Sequence, residues 1–453
     1  MQHLRKASIA VGLAAAVAIG LSACAPGAST PTGTQSLGPV SKSVGSGKIT
    51  LTVWDQNTDG GIDTAQQQLN QQFEQKYPNI TIKRVSRSFT DLKTTLKLAL
   101  SGNNPPDVVQ ANQGYPDMGA FVKAGLLRPI GDYAKLYGWN GYYPSSLLKL
   151  NSFSSDGKTW QGNDLYGVSQ TGELVGVYYN KAMLAKDGIA TPPKTLDDLT
   201  ADMAKVKAAG DLPLSYGDVE KSPGIHVYGV VLSALAGSKA VNDLVAGKSG
   251  SWTDAKAVEA AKVIQGWQKD GYITPGGNGV SQDVSTADFG KGASAFHIDG
   301  TWNEATLEQS PDGKDIGFQT LTPAGASTPV TEGGEGLAWA MTSKTKHADA
   351  AAAYIDFITN KAASEVLVKT GNLPTVVPSD DKPASGTLAG DITSQYGTIS
   401  QSNGITAYLD YSTPTFYDTL TAAAQDLIAE RVTPAQFTAT LQKDYAAFQK
   451  SNG

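Results

Sequence analysis

A chain of 453 residues with 36 Lys and Arg against 42 Asp and Glu, a net charge of −6 and a single cysteine is long enough for two or three domains. The lone thiol excludes an intramolecular disulfide, and the acidic balance, without any run of basic residues, excludes a nucleic-acid partner. Gly and Pro, 49 and 22 in number, stay below the share of a low-complexity chain, so the composition is that of a globular protein.

Residues 1–23 read as an export signal: His3, Arg5 and Lys6 give a basic start and Ile9 to Gly20 are apolar or small, a run too short to span a bilayer. Leu21, Ser22, Ala23 and Cys24 follow. This tetrapeptide resembles a bacterial lipobox, which implies an acylated Cys24 as the first residue of the mature chain and attachment to the outer face of the cell membrane through that lipid. Residues 24–47, rich in Gly, Ser, Thr and Pro, then form a flexible tether.

Ile49 to Trp54 alternate apolar and polar residues as a strand does, and the chain breaks into a polar loop from Asp55 to Gly61. Asp63 or Thr64 can cap the next helix, with Leu69, Phe73 and Tyr77 on one face before Pro78. Ile80 and Ile82 mark a second strand, Leu92, Leu96 and Leu100 a second helical face, and Asp107 to Val109 a short buried third strand. This alternation predicts parallel α/β architecture, in which ligands sit beyond the carboxyl ends of the strands, here at loops 55–61 and 110–115. Leu174 to Tyr179 is a further apolar strand, followed by helices over 195–209, around Val258 to Ile264 with a cap at Thr253 or Asp254, and over 348–358, 416–429 and 434–448. Trp54, Trp252, Trp267 and Trp339 fall on predicted strand or helix faces and are expected in the core; Trp139 and Trp160 have no assigned place.

The usual signatures of catalysis are missing. His226, His297 and His347 show no metal-ligand spacing, and no phosphate loop, nucleophile elbow or dinucleotide fingerprint occurs. Asp55 to Gln66 matches a calcium loop at five positions, yet the twelfth is Gln66 where a bidentate Glu is needed, and the loop follows a strand. The expectation is no metal and no cofactor, with the Asp and Asn side chains of that loop facing an organic ligand. Paired carboxylates for glycoside hydrolysis leave no spacing signal and stay open as an alternative.

Several segments taken together, LYGVS at 165–169, GELVGVYYNK at 172–181 followed by PPKT at 192–195, AFHIDGTW at 295–302 and GNLPT at 371–375, resemble the extracellular solute-binding proteins of carbohydrate ABC importers, the maltodextrin-binding class. The resemblance implies the α/β two-lobed periplasmic-binding-protein fold of type II, each lobe a mixed sheet flanked by helices, with a multi-segment hinge. It places residues 48–172 and 326–360 in the N-terminal lobe and 173–325 and 361–453 in the C-terminal lobe, with crossings near Gly172, near Thr322 to Gly325 and near Lys361 to Leu373.

It further implies a monomer that holds a carbohydrate in the interlobe cleft and delivers it to the transmembrane subunits of an ABC permease, without covalent chemistry. Glu173 takes the place of a carboxylate that accepts sugar hydroxyls, and Trp302 that of an aromatic platform, with Asp299 in the same segment. Tyr417 matches a late aromatic, although Phe416 or Tyr411 can fill that role. Asp218 and His226 fall in a second-lobe loop and Glu335 near the return crossing. Asp55, Asn57, Asp59, Asn112 and Gln113 are candidates as strand-end loop residues. Few Lys or Arg lie in these loops, which predicts a neutral mono- or oligosaccharide. A secreted glycoside-active enzyme and an envelope-interaction lipoprotein remain the alternatives.

Overall fold

The computed structural model describes residues 38–453 apart from 59, 381 and 453, so the expected signal peptide, Cys24, most of the tether and Asp59 lie outside the described residues. Two sheets organise the rest. In the first, the strand order is Ile80–Ser86, Ile49–Asp55, Val108–Ala111, Ala338–Met341 and Gly167–Val168. The first three are parallel and the last two antiparallel to their neighbours. The sheet is therefore mixed where the early sequence pattern predicts a parallel one, because Ala338–Met341 returns from far along the chain.

The second sheet runs Ile405–Thr406, Thr331–Glu335, Gly172–Asn180, Ser294–Gly300, Leu212–Ser215, with Ile316–Gln319 paired to the latter half of Gly172–Asn180. One apolar core, with Leu51, Val53, Leu69, Phe73, Trp339 and Tyr354, belongs to the first lobe; a larger one, with Val175, Val177, Val230, Trp252, Trp267 and Phe416 of the second lobe, continues into the first through Leu92, Leu96, Val109 and Ala340.

Local sequence accounts for most elements. Leu92, Leu96 and Leu100 are the buried face of helix Phe89–Ser101, whose start is capped by the Ser88 hydroxyl accepting from Asp91 N. Thr195 and Asp198 form a reciprocal capping box at helix Leu196–Ala209. The first helix differs from expectation: it begins at Gly60, and Asp63 lies in its first turn rather than at its cap. Asp63 Oδ1 instead receives Arg84 Nη1 at 2.6 Å. Trp54 is half-buried beneath the Arg87 guanidinium, 4.7 Å from the ring centre, and is not core, whereas Trp252, Trp267 and Trp339 are. Trp139 and Trp160 are also buried, their indole N–H groups donating to Asp356 and to the Leu150 carbonyl.

Three segments pass between the lobes side by side. Gly172 N donates to Leu373 O, Gly336 N to Thr171 O, and Thr375 N to Gln170 O, at 2.9 to 3.0 Å. The middle crossing lies at 336–337, not at 322–325. Thr331–Glu335 is still a strand of the second sheet, paired antiparallel with Gly172, Glu173 and Leu174, and the chain joins the first sheet only at Ala338. Helix Lys361–Lys369 packs on Gly60–Lys76 and Ala348–Thr359 of the first lobe, so the last crossing falls at 371–374 and not at residue 361. Residues 40–44, expected in the tether, are docked instead: Val40 and Val44 pack on the first core and Ser41 N donates to Asp349 Oδ1 at 3.0 Å. Among the described residues no helix is long and apolar enough to cross a membrane.

Candidate functional site

The crossings bring one wall of the second lobe against the strand ends of the first. Glu173, the second residue of Gly172–Asn180, is partly exposed at this junction, and its Oε2 accepts a hydrogen bond from the Tyr408 hydroxyl at 3.1 Å. Burial pushes its carboxyl up to about 7, with Tyr408 and His226 working the other way. Trp302 follows strand Ser294–Gly300 in a single 3₁₀ turn, Thr301–Asn303. Its indole is 36% exposed, among the most exposed large apolar side chains described. An exposed indole offers an apolar face and a single N–H donor.

His226 links the two. It lies one turn into helix Pro223–Ala236, with its ring 5.2 Å from Trp302 and 5.6 Å from Tyr408, centre to centre, and its Nδ1 donating to Glu332 Oε1 at 2.6 Å. Asp218 stands at the start of the same helix, where its Oδ1 accepts from Gly224 N at 2.9 Å. It is buried, which pushes its carboxyl up to about 6. Asp218 therefore acts first on the helix terminus. The two ends of the Glu332-Gly-Gly-Glu335 segment diverge: Glu332 goes to His226, while Glu335 is 2% exposed and accepts from Asn151 Nδ2 of the first lobe at 2.6 Å. Burial pushes Glu335 up to about 8 against its donors Asn151, Gln113 and Ser169.

From the first lobe, Gln113 bridges the junction, its Nε2 donating to Gly336 O at 2.9 Å and its Oε1 accepting from Tyr411 OH at 3.1 Å. Asn112 makes a long contact, 3.4 Å, to Asp117, the carboxylate that pairs with Lys93. The Lys93 ammonium lies 4.4 Å above the Tyr417 ring. Of the three late aromatics, Phe416 is core, packed on Trp252 at 4.6 Å, Tyr411 is buried with its hydroxyl on Gln113, and Tyr417 is half-buried under Lys93.

Three expected ligand side chains are committed elsewhere. Asp55 is wholly buried, with both oxygens held by Arg84 at 2.6 and 2.9 Å and Oδ1 also by Ser86. Asn57 is exchanged between Gln66 and Gln110. Asp299 accepts Gln282 Nε2 on both oxygens and Gly300 N on one; burial would raise it, but these bonds and His297 hold it below the ordinary carboxylate range. Asp55 and Asn57 were expected from strand-end position and Asp299 from the resemblance, and each is bonded to a protein partner. Conversely Glu332, Tyr408, Asp410 and Lys93 belong to the junction without having been singled out; the Glu-Gly-Gly-Glu segment was the one available signal, and it pointed only to Glu335.

The comparisons agree with this architecture. An uncharacterized ABC transporter extracellular-binding protein of Pyrococcus horikoshii is 28% identical over 72% of this chain and 71% of its own. The diacetylchitobiose binding protein of Streptomyces coelicolor is 29% identical over 65% of this chain and 66% of its own. Among solved structures, a chitin oligosaccharide binding protein superposes with a TM-score of 0.77 at 22% identity, covering 89% of this chain and 99% of that one, and so shares the two-lobed fold. The profile of bacterial extracellular solute-binding proteins matches residues 68–393, a range that includes the three crossings and Trp302 and every strand of the two sheets except Ile49–Asp55 and Ile405–Thr406: this chain belongs to that family.

Proposed function

We propose that the protein is the extracytoplasmic receptor of a carbohydrate ABC importer, taking up a neutral mono- or oligosaccharide between its lobes and passing it unaltered to a membrane permease. The observation that carries the reading is the partly exposed Trp302, packed on His226, whose ring also meets Tyr408, the phenol bonded to the Glu173 carboxylate at the lobe crossing. A ring face answers the apolar face of a pyranose, and a carboxylate accepts its hydroxyls, each such bond contributing about 1.5–3 kcal/mol. Names of relatives, diacetylchitobiose binding among them, support the same ligand class. Glu173, Trp302, His226, Asn112 and Tyr417 are the side chains of this chain that we assign to the sugar, with Gln113, bonded to Gly336 and Tyr411, joining the lobes behind them. Cys24 is assigned the lipid anchor and the functional unit is a monomer.

A thermal-shift panel tests the reading. Diacetylchitobiose, maltotriose, raffinose and xylotriose are each added to the purified protein and then recovered. The expected result is a saturable rise in Tm with at least one sugar, recovered intact. Cleavage of the sugar would favour a glycoside-active enzyme, and no shift with any sugar would favour an envelope-interaction role.

A further inference from the structure

Among the buried charges at the junction, Glu332 is held by a helix packed directly over it. It is 1% exposed on strand Thr331–Glu335, and its Oε1 receives His226 Nδ1 at 2.6 Å. The helix that carries His226 passes directly over it: a Cβ on Gly229, one turn beyond His226, would collide with Glu332 Oε2. A helix-interior glycine costs about 1 kcal/mol relative to alanine, and here it leaves the space that the carboxylate occupies. The imidazole then packs on Trp302 and on Tyr408, whose hydroxyl holds Glu173. One carboxylate thus braces, through one imidazole, both the open indole and the phenol that orients the crossing carboxylate.

We propose that Glu332 is a positioning residue of the saccharide site: it fixes the His226 imidazole against Trp302 and Tyr408, so that sugar affinity follows the protonation of the His226–Glu332 pair. The proposal rests on the receptor reading above. The charges that face the imidazole come from every element around it: Glu332 and Glu173 from neighbouring strands, Asp299 from strand Ser294–Gly300, Asp410 from the turn Leu409–Ser412, and Asp218 from the loop after Leu212–Ser215. Burial disfavours the imidazolium, but Glu332, Asp299 and Asp410 outweigh it and raise His226 above its ordinary range. Burial likewise pushes Glu332 up to about 7. A rising pH therefore removes the proton the pair shares and leaves net negative charge beneath the ring, where the hydrogen bond that sets the imidazole is weakened.

The test is calorimetric titration of the full chain with whichever of the four panel sugars binds most tightly, from about pH 5.5 to about 8.5, for wild type, Glu332→Gln and Glu332→Asp. Wild-type affinity should fall about ten-fold across this range. Glu332→Gln should bind about ten-fold more weakly at low pH and lose most of the pH dependence, and Glu332→Asp should regain part of both. A Glu332→Gln protein with wild-type Kd and pH profile overturns the positioning role while the receptor reading stands; wild type that binds none of the sugars overturns both. Should Glu332→Gln fail to fold, the His226 ring resonances of wild type are titrated by NMR without and with saturating sugar. A displaced midpoint supports the proposal, and an imidazole indifferent to the sugar overturns it.

Discussion

At the scale of single residues, Asp55 and Trp302 make opposite predictions. Asp55 was legible as a strand-end residue and Trp302 through the family resemblance, and only Trp302 keeps an exposed surface. Asp55 is tied to Arg84, 29 positions later, a link that no local pattern reveals because it depends on the parallel register of Ile49–Asp55 with Ile80–Ser86. Removing one partner of a buried ion pair strands the other, so Asp55→Ala should lower unfolding stability by about 3 kcal/mol in urea titrations. Trp302→Ala should leave stability nearly unchanged. If the indole covers about 80 Å² of sugar at ~25 cal/mol/Å², about 2 kcal/mol is lost, and calorimetric Kd should weaken roughly 30-fold.

At the scale of elements, the sequence carried what depends on near neighbours. The helix expected over 195–209 and the one expected from the four-residue spacing of Leu92, Leu96 and Leu100 are both present, the first with a capping box at Thr195. The middle crossing was misplaced because its position depends on a strand pair rather than on a loop signal. Thr331–Glu335 has two adjacent glycines, which read as a turn. They serve as strand residues: Gly333 has a φ of +146°, and a Cβ there would collide with the Glu173 carbonyl. That close approach is what sets Glu332 beside the wall of Glu173. Gly333→Ala should therefore cost about 2 kcal/mol or more, read as a lowered urea midpoint with an unchanged m-value.

For the whole molecule, the two-lobed form followed from the combination of segments, whereas the exact crossings and the partners of the junction side chains depend on contacts far apart in the chain. The burial of carboxyls at the junction has a consequence for stability. Glu173 and Glu332 are raised to about 7 and Glu335 to about 8, all above an unfolded value near 4.5. Between that value and pH ~8 the folded chain binds more protons than the unfolded chain, so stability must fall as pH rises through this window. Scanning calorimetry of the sugar-free protein should give a lower Tm at pH ~8 than at pH ~5, with the difference reduced in Glu335→Gln.

The central claim is stoichiometric capture of an intact saccharide between the lobes, and isothermal titration of the wild-type protein with the panel sugars tests it most directly. Saturable heat with one site per chain is expected for at least one sugar, which leaves the complex chemically unchanged. Heat absent for every sugar, or heat that continues beyond equivalence while the sugar is broken down, would contradict it.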